Sequence, residues 1–300
     1  MATRAKTTTK RKTTAASARK TSARVVSSSN VVKPTAARRP VSRLASITPN
    51  ALVGEAVGTF GLALAALTAP ADQPLLVGLT LAVLLVGLMR VSGGHFNPAV
   101  TFGLWAANKV EGIKVPFFWA AQFIGAIAAL LVFGAYSGTG GAIDLGSFLK
   151  LDLKVFWVEF VGTALFLFGL LAVLKNASST AVRAAGIGLS LAVGLVVAGG
   201  LLTANATFEQ TRVQSGEVKT VSQTFAAQGA ALNPAIALAQ TERDVDAINK
   251  SISGQSGHDT TQKKPSHMTF MVVSGSLLGA AVGSNLYLLL AGLSWKSRDL

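Results

Sequence analysis

Six runs of apolar residues dominate this 300-residue chain, each close to the ~20 residues that an α-helix needs to cross a bilayer's hydrocarbon layer. They lie at about 51–67, 75–91, 116–136, 153–174, 184–202 and 268–293. Charged residues make up 13% of the chain, about half the share usual in a soluble domain. A polytopic membrane protein follows. There is no cysteine, so disulfides and thiolate-held metals are excluded. No cofactor or metal is expected, and nothing in the pattern points to an enzyme.

Two triplets break the apolar pattern. Gly93-Gly94-His95-Phe96-Asn97-Pro98-Ala99-Val100 follows the second run, and Gly229-Ala230-Ala231-Leu232-Asn233-Pro234-Ala235 follows the fifth. In each, Asn suits the N-cap, where its side-chain oxygen accepts from the first unpaired backbone donors of a helix. Proline suits the first helical position, which needs no donor. Each stretch reads as a loop feeding a short helix, the first over Pro98 to about Ala107. Such a half-helix cannot span a bilayer, and its lead-in loop is tolerable only inside protein or beside a water-filled cavity.

The chain repeats itself. Glu55-Ala56-Val57-Gly58-Thr59 in the first run is echoed by Glu159-Phe160-Val161-Gly162-Thr163 in the fourth. Three spans separate the copies, an odd number, so the second half is inverted in the membrane. Inverted repeats with broken helices are a recurring plan for permeation pathways. Small residues such as Gly58, Gly125, Gly162, Gly194 and Gly279 would let helices approach closely.

Residues 1–43 hold twelve Lys or Arg and no acid. This stretch is too polar and low in complexity to fold alone. It reads as a disordered basic tail (residues 1–48) that sits inside the cell and touches anionic lipid. A transit peptide is a competing reading, and a secretory signal is excluded for want of an apolar core. Nucleic-acid binding is disfavoured, because no aromatics or folded reader accompany the charge. With the tail inside, nineteen basic residues and two acids fall on the inner side, against eight and nine outside. That is the positive-inside pattern, with both termini cytoplasmic.

The paired Asn-Pro-Ala boxes, the Gly-Gly-His before the first, the two Glu-x-x-Gly-Thr motifs and the inverted six-span plan resemble the aquaporin and glycerol-facilitator family over roughly residues 50–295. The resemblance implies an all-α membrane protein of six transmembrane helices plus two re-entrant half-helices, usually a homotetramer in the plasma membrane. It implies a pore at Asn97, Pro98, Ala99, Asn233, Pro234 and Ala235. The two half-helix N-termini, each about half a positive charge, would repel cations at the midplane, and each Asn amide would present its donors to water. By resemblance Glu55 and Glu159 brace the two loops, and His95 orients its loop and lines the inner vestibule.

The outer filter departs from the family. Where most members carry Arg after the second box, this chain has Ile236. The other filter places fall on Val77, Leu195 and Ala230, and the glycerol-facilitator Asp is replaced by Ala237. All four filter positions are apolar. The expected function is a passive channel for water or a small neutral solute, with slower water flux and ammonia, hydrogen peroxide or dissolved gas as further permeants. Two other classes stay open: a proton-coupled carrier using Glu55 and Glu159, and a non-conducting structural membrane protein.

The expected organisation is a channel domain over 49–295, with repeats at about 51–136 and 153–293. Two long polar outer loops, 203–228 and 241–267, interrupt the second repeat. Arg212 in the first of them either replaces the missing filter Arg from outside or belongs to a solvated surface.

Overall fold

A computed structural model describes residues 47–254 and 264–292, all within one packing unit, Ser42–Leu300. The basic tail, apart from its last two positions, lies outside the described residues. Among the described residues ten helices follow in order: α1 Pro49–Thr68, α2 Pro74–Ser92, α3 Pro98–Ala106, α4 Lys114–Ser137, α5 Leu153–Asn176, α6 Thr180–Gln214, α7 Gln223–Ala226, α8 Pro234–Ala239, α9 Val245–Ile252 and α10 Phe270–Leu290. Six of these, α1, α2, α4, α5, α6 and α10, are long and apolar enough to cross a membrane. Among the described residues there is no strand, only an isolated bridge between Thr241 and Ser266.

The starts of the long helices are written locally. Thr48, Asp152, Ser179 and Thr269 each accept from a backbone N–H of the first turn, of α1, α5, α6 and α10 respectively. Such caps satisfy donors that the helix leaves unpaired. Polar caps thus mark where the chain enters the apolar layer.

Packing follows the repeat. α1 lies against α2 and α4, α5 lies against α6 and α10, and α2 meets α6 between the halves. The half-helices cross over: α3 packs mainly on α10, and α8 mainly on α4. Each half therefore supports the short helix of the other. Many large apolar side chains, among them Val83, Ile124, Trp157 and Leu289, remain exposed on the outside of the bundle, as a lipid-facing surface requires.

One boundary differs from the sequence expectation. The fifth span does not end near residue 202; α6 runs on to Gln214 for a total of 35 residues. At 1.5 Å per residue that is about 52 Å, far beyond the ~30 Å hydrocarbon layer. Residues 203–214 are polar but contain no Gly or Pro, and the hydroxyls of Thr207 and Thr211 bond back to carbonyls four residues earlier. The helix stops at Ser215, followed by Gly216 with φ of 73°. Polarity marked the exit from the bilayer, not the end of the helix.

The described parts of the two insertions are tied together by polar contacts. Glu209 on α6 accepts from the backbone N–H and hydroxyl of Ser222. Asp152, at the start of α5, does the same for Thr224 in α7. Asn249 in α9 exchanges bonds with the backbone of Val221. These polar ties join the end of α6, α7 and α9 into a cap at one end of the bundle.

Candidate functional site

The two boxes meet. Asn97 Oδ1 accepts from Ala99 N at 2.7 Å, and Asn233 Oδ1 accepts from Ala235 N at 3.0 Å, so each caps its own half-helix. Each amide also reaches across. Asn97 Nδ2 donates to the Leu232 carbonyl at 2.8 Å, and Asn233 Nδ2 donates to the Phe96 carbonyl at 3.0 Å. From the sequence, both hydrogens of each amide are expected to face the pore. In fact one hydrogen of each is committed to the opposite loop, which leaves one per amide.

The residue before each Asn is the pivot. Phe96 has φ of 49° and Leu232 has φ of 51°, a left-handed conformation uncommon for bulky side chains. The Glu-x-x-Gly motif holds both in place. Glu55 accepts from the N–H groups of His95 (3.0 Å) and Phe96 (2.7 Å). Glu159 accepts from those of Ala231 and Leu232, both at 2.8 Å. A carboxylate that receives two backbone donors has its burial cost offset. Three residues on, Gly58 and Gly162 make room for the pivot side chains. A Cβ at Gly58 would stand 2.1 Å from the Phe96 ring, and one at Gly162 would stand 2.6 Å from Leu232 Cδ2. One turn of helix thus supplies both the acceptor and the hole that the strained residue needs.

The braces differ in their third partner. Glu55 takes a 2.7 Å bond from Gln122 Nε2 of α4, which also donates to Thr101. His95 Nδ1 lies 3.0 Å from the same Thr101 hydroxyl, and its ring rests on Phe118. Glu159 instead faces His267 Nε2 at 3.3 Å, and His267 Nδ1 is bonded to Glu242. Glu242 also accepts from Gln223 of α7. Gln122, Thr101, His267 and Glu242 were not singled out from sequence. A glutamine inside an apolar run (Gln122) was the one visible signal; nothing in the polar insertions distinguished Glu242 from its charged neighbours.

A cavity of about 310 Å³ runs along this assembly, lined by His95, Asn97 and Asn233 and by Val77, Leu195, Ala230 and Ile236. The four filter positions named from sequence therefore border the same space as both asparagines. Ala237 is fully buried and does not line it. Farther out, the wall gains Gln228, Gln240, Thr241 and His267. A second cavity of about 730 Å³ shares Leu195, Gln228 and Gly229 with the first and is bordered by Arg243. Arg212 borders neither. It pairs with Glu217 at 2.7 Å and lies over the Phe208 ring, so it does not stand in for the missing filter cation.

Six bilayer-length helices in two interleaved halves, with two half-helices joined at their N-termini beside one cavity, define a multi-pass integral membrane protein of the re-entrant, inverted-repeat class. Comparison with known proteins agrees. The family model for major intrinsic proteins matches residues 65–212, and over that stretch the chain is similar to that family. Nodulin-26 of Glycine max is 32% identical over 161 residues, covering 48% of this chain and 56% of that one. Aquaporin NIP2-1 of Oryza sativa subsp. japonica is 35% identical over 125 residues, covering 42% and 40%. The matches thus span about half, or less, of these relatives' length. The X-ray structure of the aquaglyceroporin from Plasmodium falciparum shares the fold, with a TM-score of 0.51 at 22% identity over 79% of this chain and 94% of that chain.

Proposed function

We propose that this protein is a passive channel that moves water or small neutral solutes across a membrane through the cavity beside the two boxes. The observation that carries the reading is the single cavity bordered by both Asn97 and Asn233 and by all four apolar positions, Val77, Leu195, Ala230 and Ile236. At the boxes, the remaining N–H of each amide is a donor for a passing oxygen or nitrogen. The oppositely supported half-helix ends set a positive potential there. A water that accepts from both amides turns, which interrupts a proton-conducting chain, and cations meet an unfavourable field.

At the outer ring the side chains offer no donor or acceptor, so a strongly hydrated solute gains nothing for the water it sheds. Water flux is therefore slower than through a polar filter, and weakly polar solutes such as ammonia, hydrogen peroxide and dissolved gas pass with less penalty. We place the protein in the plasma membrane as a homotetramer with both termini cytoplasmic and the basic tail on anionic lipid. A proton-coupled carrier is the weaker reading, because Glu55 and Glu159 are occupied by backbone donors and border no part of the cavity.

The test is stopped-flow swelling of vesicles containing the full chain, with water, glycerol, urea and ammonia compared side by side. Flux of at least one above protein-free vesicles, with no solute-driven pH change beyond that of the solute's own protonation, is the expected outcome. Permeabilities equal to those of empty vesicles for all four would defeat it.

A further inference from the structure

The two loop braces are unequal, and the inequality lies at the capped end of the bundle. Glu55 is held by neutral partners, whereas Glu159 is joined through His267 to Glu242 and on to Gln223. Glu159, Glu242 and His267 are all buried, and each accessible fraction is under 3%. Gln223 and Glu242 both come from the polar insertions of the second repeat, one from α7 and one from the segment after α8. These insertions therefore reach inward to the loop that carries Asn233.

We infer that Glu242 and His267 are positioning residues for conduction: with Gln223 they tie the loop before Asn233 to the outer cap, so the cap sets the passage at Ala230 and Ile236. The inference rests on the channel reading above. It is directional in structure. Gln223 holds Glu242, Glu242 holds His267, His267 meets Glu159, and Glu159 fixes the N–H groups of Ala231 and Leu232. Ala230, next in that loop, borders the cavity together with the other filter positions.

The link is also sensitive to protons. Each ring nitrogen of His267 faces a carboxylate oxygen, and a neutral imidazole has only one N–H to give. Both bonds are made together only by the imidazolium. Burial pushes the ring toward neutrality, but the hydrogen bonds and charges of Glu159 and Glu242 outweigh it and raise the His267 pKa to about 10. Among the described residues no other ionised side chain acts on the ring. Asp144 turns its carboxylate to Gly146 N and offers Ser266 only its backbone carbonyl, and Lys264 is exposed.

The experiment follows swelling rate against pH for the full chain in sealed vesicles, using whichever of water, glycerol, urea or ammonia the wild type conducts. Wild-type flux is expected to be level from about pH 6 to about pH 9 and to fall with a midpoint near the His267 pKa of about 10. Glu242→Gln removes one facing charge, so flux drops several-fold and the midpoint moves down by about one to three units, toward neutrality. Gln223→Leu keeps both ionisable groups but cuts the tie to α7. It should lower flux while leaving the midpoint near that of wild type, and it serves where Glu242→Gln fails to fold. A purely structural contact would change protein yield and leave the midpoint alone. Wild-type flux and an unmoved profile in these variants overturn the inference and leave the channel reading intact. A wild type that conducts nothing removes both.

Discussion

Ile236 occupies the first helical turn after Asn233, is buried at 3% exposure, and borders the cavity with Val77, Leu195 and Ala230. Its neighbours on the pore side offer no carboxylate, so an arginine placed there would not be neutralised. Its guanidinium would give the ring the five donors it lacks. Ile236→Arg should therefore shift preference toward water over larger or less polar solutes and strengthen exclusion of cations. Paired swelling assays with water and urea check this, and an unchanged ratio would mean that the side chain at 236 does not meet the permeant. The apolar character of this ring was legible through the resemblance, which places each filter position by counting from a motif. The cross-bonding of Asn97 and Asn233 was not. Sequence marks an asparagine as a cap, but only the meeting of two loops 135 residues apart shows where its amide goes.

At the level of elements, the Glu-x-x-Gly-Thr repeat proves to be a device for seating a strained residue. The spacing of three puts the carboxylate and the glycine on one face of the helix, and that face meets the loop. Gly58→Ala would drive a methyl into the Phe96 ring, at 2.1 Å from its nearest atom. Overpacking of this kind costs about 1–3 kcal/mol, and here it also displaces the carbonyl that accepts from Asn233. Gly87 is a matched control, since a Cβ there meets nothing within 4 Å, and alanine in a helix interior is favoured over glycine by about 0.5–1 kcal/mol. Thermal unfolding of the two variants in detergent should move in opposite directions. A Gly58→Ala protein as stable as wild type would refute the account of the motif. The long spans were readable from apolar length, and four of their six starts coincide with Ser, Thr or Asp caps. That the outer segments can cover the mouth is legible in their length and polarity; the run of α6 to Gln214 is not, because composition separates membrane from water, whereas helix continuation depends on the absence of breakers between residues 203 and 214. The cap's anchors, Asp152, Glu209 and Glu242, look like ordinary surface acids until the chain is folded.

For the whole molecule, orientation is the property on which the parts agree. The odd number of spans between the repeats forces the two half-helices to enter from opposite faces, and their N-termini can meet only for that reason. The positive-inside rule predicts that the basic tail and the helix ends carrying or flanking Arg90, Lys109, Lys114, Lys175 and Arg183 lie inside. On that expectation the α4–α5 connection and the cap lie outside. Absence of cysteine from the whole chain makes this unusually clean to test, because a single introduced thiol has no background. Thr139, just beyond α4, and Ser178, between α5 and α6, are both exposed in the structure. In intact cells a membrane-impermeant maleimide should label Thr139→Cys and spare Ser178→Cys, and permeabilisation should make the second reactive. The reverse pattern would turn the cap inward, so that His267 and Glu242 would answer to cytoplasmic rather than external pH. Equal labelling of both sites before permeabilisation would contradict the three-span inversion itself, and with it the opposed half-helices that the cavity depends on.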